Sequence, residues 1–147
     1  MSMIERNRIN LSSPNLLNIC VDKKEGGDIS GRIYHCYQQE PILFQNVIEL
    51  IREAEQLFDT IGFPQASTKS RSFGDVLETV YARKLPEKVV TQQQVAEHQG
   101  ERGTFITSVR LRQSATWQGE FYWAEQQRIY RFSNTLDFIK QIDTAVW

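Results

Sequence analysis

The chain is poor in the residues that most often carry chemistry. Two cysteines, Cys20 and Cys36, and two histidines, His35 and His98, are all that 147 residues supply. Two cysteines are too few for a disulfide framework, and structural free thiols are the expected state. No Cys-x-x-Cys or His-x-x-x-His spacing occurs, so the converging ligands a metal ion needs are not spelled out. Neither a Walker loop nor a dinucleotide glycine pattern is present, and Gly26-Gly27 reads as a turn. No metal and no cofactor is expected on these grounds. A nucleophile–base pair would have to come from the same four side chains. His35 and Cys36 are strand neighbours and point to opposite sides, while His98 lies in a polar connecting segment. Packing or surface roles are therefore expected for all four. Glu53 and Glu55 sit on a helical stretch and read as a solvated face.

Excess charge and long apolar runs are lacking too. Seventeen Lys and Arg nearly balance eighteen Asp and Glu, for a net charge of -1. That argues against a global electrostatic grip on nucleic acid or anionic membrane, while leaving room for a local basic face. Nothing approaches the roughly 18 consecutive apolar residues of a membrane span. Residues 1–10 are polar and charged, without the apolar core of a secretion signal. A cytoplasmic location without membrane contact is the expectation.

What the sequence does have is an apolar fraction of 40%, ample for a buried core, and an internal repeat. Val21 and Val109, Gly31 and Gly119, Tyr34 and Tyr122, Phe44 and Phe132, Asn46 and Asn134, and Ile51 and Ile139 all stand 88 positions apart. Gln38-Gln39 and Gln126-Gln127 share the offset, and no gap is needed between 13–58 and 101–146.

Both copies carry the same pattern of local structure. Leu17, Ile19 and Val21 alternate with Asn18, Cys20 and Asp22, the period of a half-buried strand. After the turn at 23–28, Ile29, Gly31 and Ile33 share the next inward face. In the second copy Phe105, Thr107, Val109 and Leu111 share one face, and Trp117, Gly119, Phe121 and Trp123 the next. A third strand follows each pair. Two-residue loops at Gln38-Gln39 and Gln126-Gln127 would set residue 33 opposite 44, 35 opposite 42, Phe121 opposite Phe132 and Trp123 opposite Tyr130. Each unit then closes with a helix. Asn46 and Asn134 are N-cap residues with Glu49 and Asp137 three positions later. Val47, Ile51, Ala54 and Phe58 make the first apolar stripe, and Thr135, Ile139, Ile142 and Val146 the second.

The expected fold class is α+β. Two β-β-β-α repeats, 13–58 and 101–147, each form an antiparallel meander covered by its C-terminal helix and are related by a pseudo-two-fold. Together they are expected to form one compact domain. Edge-to-edge pairing would give six strands with two helices on one side; stacked sheets and exchanged helices are the alternatives. Residues 59–100 read as a connecting loop and partly flexible linker, with a short helix conceivable over 73–83. Gly31 and Gly119 lie on the core face, where a missing side chain lets a helix approach closely or marks a bulge, and where a Val is expected to cost stability.

The sheet face turned away from the helices offers candidate binding residues. It presents Arg32 and Tyr34 from one copy, and Arg110, Arg112, Tyr122 and Arg131 from the other. Aromatics flanked by arginines suit a protein interface. They can also stack bases and hold phosphates. A solvated face with ordinary cross-strand pairs is the plain alternative.

Two resemblances bear on this. Arg112-Gln113, Ala115-Thr116-Trp117-Gln118-Gly119 and Phe132 with Asn134, Leu136 and Ile139 resemble an uncharacterised family of short bacterial, Firmicutes-like proteins. Gly31-Arg32-Ile33-Tyr34-His35-Cys36-Tyr37 and Phe63-Pro64-Gln65-Ala66-Ser67-Thr68 look similar to the same family, which brings no assigned activity. In topology alone, strands followed by one helix are similar to the PUR repeat, whose family binds single-stranded nucleic acid. That repeat has four strands and a basic character, against three strands and a slightly acidic chain here. The expected function is a non-catalytic protein-interaction or adaptor module, with a protein partner or self-association. The alternative is a single-stranded nucleic-acid-binding protein using the open sheet face.

Overall fold

The computed structural model describes residues 13–64, 66–67, 86–113 and 116–146. Its core is one antiparallel sheet of six strands in the order β3-β2-β1-β5-β6-β7. β1 (Leu17–Glu25), β2 (Asp28–Tyr34) and β3 (Ile42–Phe44) form one meander, followed by helix α1 (Val47–Ile61). β5 (Gly103–Gln113), β6 (Thr116–Trp123) and β7 (Arg128–Phe132) form the other, followed by α3 (Thr135–Ala145). Between them lie β4 (Ala66–Ser67), which pairs in parallel with the end of β5, and the short helix α2 (Gln92–Ala96). The expected helix over 73–83 lies outside the described residues. Of the arrangements open to two meanders, the chain uses edge pairing. β1 and β5 run antiparallel at the centre, with Asn18 opposite Ile106.

Local chemistry explains the elements. Gly26 and Gly27 both take positive φ, +59° and +80°, the backbone a tight two-residue hairpin requires, so β1 continues to Glu25 opposite Asp28. Both long helices start at asparagine. The Asn46 side chain accepts from the Glu49 amide and the Asn134 side chain from the Asp137 amide, each at 2.8 Å. The Glu49 and Asp137 carboxylates reach back to the amides of Gln45 and Ser133, satisfying a further donor at each start. α1 ends on Gly62, whose left-handed backbone (φ 69°) closes the helix.

The third strands are set differently from the expectation. Ile33 lies opposite Ile42 and Gly31 opposite Phe44; Phe121 lies opposite Tyr130 and Gly119 opposite Phe132. The second loop spans the four residues 124–127 with Gln127 at positive φ, and the first spans 35–41. The shift is two residues in both hairpins. Side chains alternate with period two, so the inward and outward sets survive it.

Two bulges matter more. One falls between Val21 and Lys23 in β1, the other between Val109 and Leu111 in β5. An extra residue reverses the parity of all that follows. Leu111, expected inside, is 48% exposed, and Arg112, expected on the outer face, turns under the helices.

The helices cover one face. Leu50, Ala54 and Phe58 from α1 and Phe138 and Ile142 from α3 pack with Ile19, Phe44, Phe105, Trp117 and Phe121 in a single apolar cluster. The buried stripe of α1 runs through Leu50, Ala54, Phe58 and Ile61, and that of α3 through Phe138 and Ile142, leaving Ile48 and Leu136 exposed. Among the described residues, no helix is long and apolar enough to cross a membrane.

The other face is covered as well. Residues within 86–102, read from sequence as partly flexible linker, lie across it. Val95 and Ala96 bury against Leu16, Cys36, Ile106 and Tyr122. Thr91 and Gln94 form a reciprocal capping box at the start of α2. The buried Asn18 side chain donates to the carbonyls of Val95 and His98, pinning the segment to β1.

Candidate interaction surface

The six arginines and tyrosines expected on one open face do not form one surface. Arg32 and Tyr34 remain together. Arg32 donates twice to Asp22, at 2.9 and 3.0 Å, once to the Tyr34 hydroxyl and once to the Gln99 carbonyl. Tyr34 is stacked on His98 with ring centroids 3.6 Å apart and planes 2° from parallel. Asp22 also accepts from the Glu101 amide. Burial opposes ionisation of Asp22, but the hydrogen bonds and charge of Arg32 outweigh it and hold the carboxyl below its ordinary range. Partial burial and the Arg32 charge both push His98 down. The whole set works as a clasp that holds residues 98–101 over β1 and β2.

Tyr122 does point away from the helices, yet it is 0% exposed, because the segment carrying α2 lies over it. Arg110 is on the surface, 2.8 Å from the Glu120 carboxylate. Arg131 is exposed and lies opposite Glu120 in the β6–β7 ladder. Arg112 is 3% exposed on the helix side, where it ion-pairs with Glu55 and Asp59 of α1 at 2.9 Å each. Its Nε donates to the Pro64 carbonyl, and the Trp117 indole N–H donates to the same Glu55.

Of the four nucleophile or base candidates, Cys20, Cys36 and His35 are buried and His98 stacks on Tyr34. Burial raises the Cys20 thiol to about 12 and also raises Cys36. Burial lowers His35 to about 4, and the neutral ring accepts the Tyr37 amide at Nδ1. Among the described residues, no group of three or more His, Cys, Asp or Glu gathers as a metal would require.

A different feature looks outward. Between α3 and the last two strands lies a groove of about 290 Å³. Its sheet wall is Phe121, Trp123 and Tyr130, and its helix wall is Lys140, Thr144 and Ala145. The Tyr130 ring stacks on Phe121, centroids 5.5 Å apart, and tilts against Trp123 at 6.0 Å. Trp123 and Tyr130 are only partly buried. Alternation had placed Phe121 and Trp123 inward, but nothing in that pattern showed that α3 would leave a gap over them. The readable signal was Ala145, a small residue where the 88-residue offset puts Leu57.

No family model matches the chain, and no curated protein or solved structure is significantly similar to it.

Proposed function

We propose that the chain is a non-catalytic interaction module of a bacterial cytoplasmic system, taking a protein partner in the groove between α3 and the β6–β7 edge. The observation that carries this is the pair of partly exposed, mutually packed aromatics, Trp123 and Tyr130, beside a strand at the end of the sheet. Large, rigid aromatics that stay accessible in a concave site are the side chains on which protein interfaces concentrate their affinity. The buried thiols and the neutral His35 add support, since their protonation states suit packing better than proton transfer. Single-strand nucleic-acid binding finds less support, because Tyr34 already stacks on His98 and Tyr122 is covered. Affinity capture from the native host with the full chain tests the reading. A protein retained after nuclease treatment by wild type and lost with Trp123→Ala is the expected result. Retention that vanishes with nuclease would instead favour the nucleic-acid alternative.

The architecture is read here as two β-β-β-α halves related by a pseudo-two-fold through the Asn18–Ile106 pair, residues that are themselves 88 apart. Several independent features recur at that offset: both bulges, both N-caps and both glycine–phenylalanine pairings. The first helical amides do so too, Val47 donating to Asp28 and Thr135 to Thr116. So do two ion pairs that cross between the halves, Lys24 with Asp143 and Arg112 with Glu55. On this reading the groove marks a divergence between the halves. Where Leu57 packs against the core in the first, Ala145 leaves room in the second.

A further inference from the structure

We infer that the occupant of the α3–β7 groove is an acidic segment of a partner protein that inserts one large apolar side chain against Trp123 and Tyr130. The inference rests on the interaction reading above and adds the chemistry of the partner. The apolar part follows from the walls: Phe121, Trp123 and Tyr130 face the methyl of Ala145, a space of side-chain size rather than a broad flat patch.

The acidic part follows from the rim. Lys140 lines the groove. Arg128 stands opposite Trp123 at the start of β7, on the same strand face as Tyr130. Neither cation has an ion pair among the described residues. The acids nearest them in sequence are committed elsewhere. Glu125 accepts from the Thr104 amide and hydroxyl, Asp137 accepts from the Ser133 amide, and Asp143 pairs with Lys24. Among the described residues, a chain of net charge -1 therefore presents two cations without an ion pair beside its aromatic groove, Lys140 in its wall and Arg128 across the ladder from Trp123. Opposite charge at such a rim selects the partner and speeds encounter, while the buried apolar anchor holds it.

The test uses the full chain, isotopically labelled, and a blocked synthetic peptide with one central Phe flanked by Asp and Glu. Two control peptides carry Lys in place of every acid, or Ala in place of Phe. The acidic Phe peptide is expected to shift the Trp123 indole and the amides of β7 and α3 saturably, and neither control should. Ala145→Leu fills the groove with the side chain found at the matching place in the first half, so the fold should persist. Affinity should drop by about tenfold or more, as for a lost buried anchor. The double variant Arg128→Glu/Lys140→Glu should prefer the Lys peptide. Equal binding of the Lys and acidic peptides, or Ala145→Leu without effect, overturns the inference. If acidic peptides fail while host capture still depends on Trp123, the chemistry assigned to the occupant is wrong and the interaction reading stands. If Trp123→Ala leaves capture unchanged, the interaction reading fails with it.

Discussion

A Cβ added to Gly119 would overlap the Ser108 carbonyl oxygen, and one added to Gly31 would overlap that of Cys20. These glycines have ordinary strand backbones; what they provide is room for a neighbouring strand to come close beside a bulge. Gly119→Ala is therefore expected to lower stability by about 3 kcal/mol, because the obstacle is backbone that must move rather than a rotatable side chain. Urea melts should show a lower midpoint with an unchanged slope; an unchanged midpoint would mean the ladder relaxes freely. His35 sets a pH dependence at the same scale. Its folded value near 4 lies below the ordinary 6.5, so between those values the unfolded chain binds the extra proton. Stability should hold above pH 6.5 and fall as pH drops from 6.5 towards 4, by up to about 3 kcal/mol for a shift of that size. His98 is shifted in the same direction and adds to the slope. His35→Asn keeps an acceptor for the Tyr37 amide but does not titrate, so its stability profile should be flatter across that window.

At the scale of elements, the bulge in β5 decides more than any single strand. By turning Arg112 inward it ties β5 to α1 through Glu55 and Asp59, and to the segment after α1 through the Pro64 carbonyl. Arg112→Met removes a buried cation whose carboxylate partners keep partial access to water, so the cost should be about 2 kcal/mol rather than the larger value for fully buried pairs. Arg112→Lys keeps the charge but loses the fork, and should recover only part of it. Chemical denaturation of the pair measures both; a Lys variant as stable as wild type would show that charge alone matters. This element also marks where sequence reasoning stops. Strand alternation, the Gly26-Gly27 turn and the Asn46 and Asn134 caps were legible because each depends on neighbours a few residues apart. The bulge was legible only as one of two meanings of a core-face glycine: Gly119 lies opposite Val109, where the bulge begins, but nothing nearby said that the extra residue would move Arg112 from the outer face to the inner. Tyr122 was mislaid for another reason. Its direction was correct, but its exposure depends on residues within 86–102, whose polar composition hides two short apolar contacts, Val95 and Ala96, and a side-chain pin from Asn18. Polar segments of that kind fold by being tied down rather than by burying much surface. Arg32→Ala should release the clasp at 98–101, raising amide exchange there while β1 and β5 stay protected.

At the scale of the molecule, the central contact is β1 against β5, so neither meander finishes its own sheet. Each presents at its inner edge a long strand that needs a neighbour, and each strand supplies a cation to the helix that follows the other meander, Lys24 to Asp143 and Arg112 to Glu55. Unfolding should therefore be one cooperative transition, with the same midpoint by far-UV and aromatic signals. The two-half reading makes a sharper demand. If the Asn18–Ile106 pair lies on a pseudo-two-fold, β5 has a register in which it can pair with another β5, Ile106 opposite Ile106. The separate segment 101–147 should then be largely unfolded as a dilute monomer, since half its sheet and the cover over Tyr122 are gone, and should gain strand structure only as it dimerises. Light scattering with circular dichroism across a concentration series distinguishes the cases. Strand content rising with dimer fraction supports the symmetric edge, whereas a well-folded monomer would show that the second meander is stable alone and that β1 is not needed to complete it.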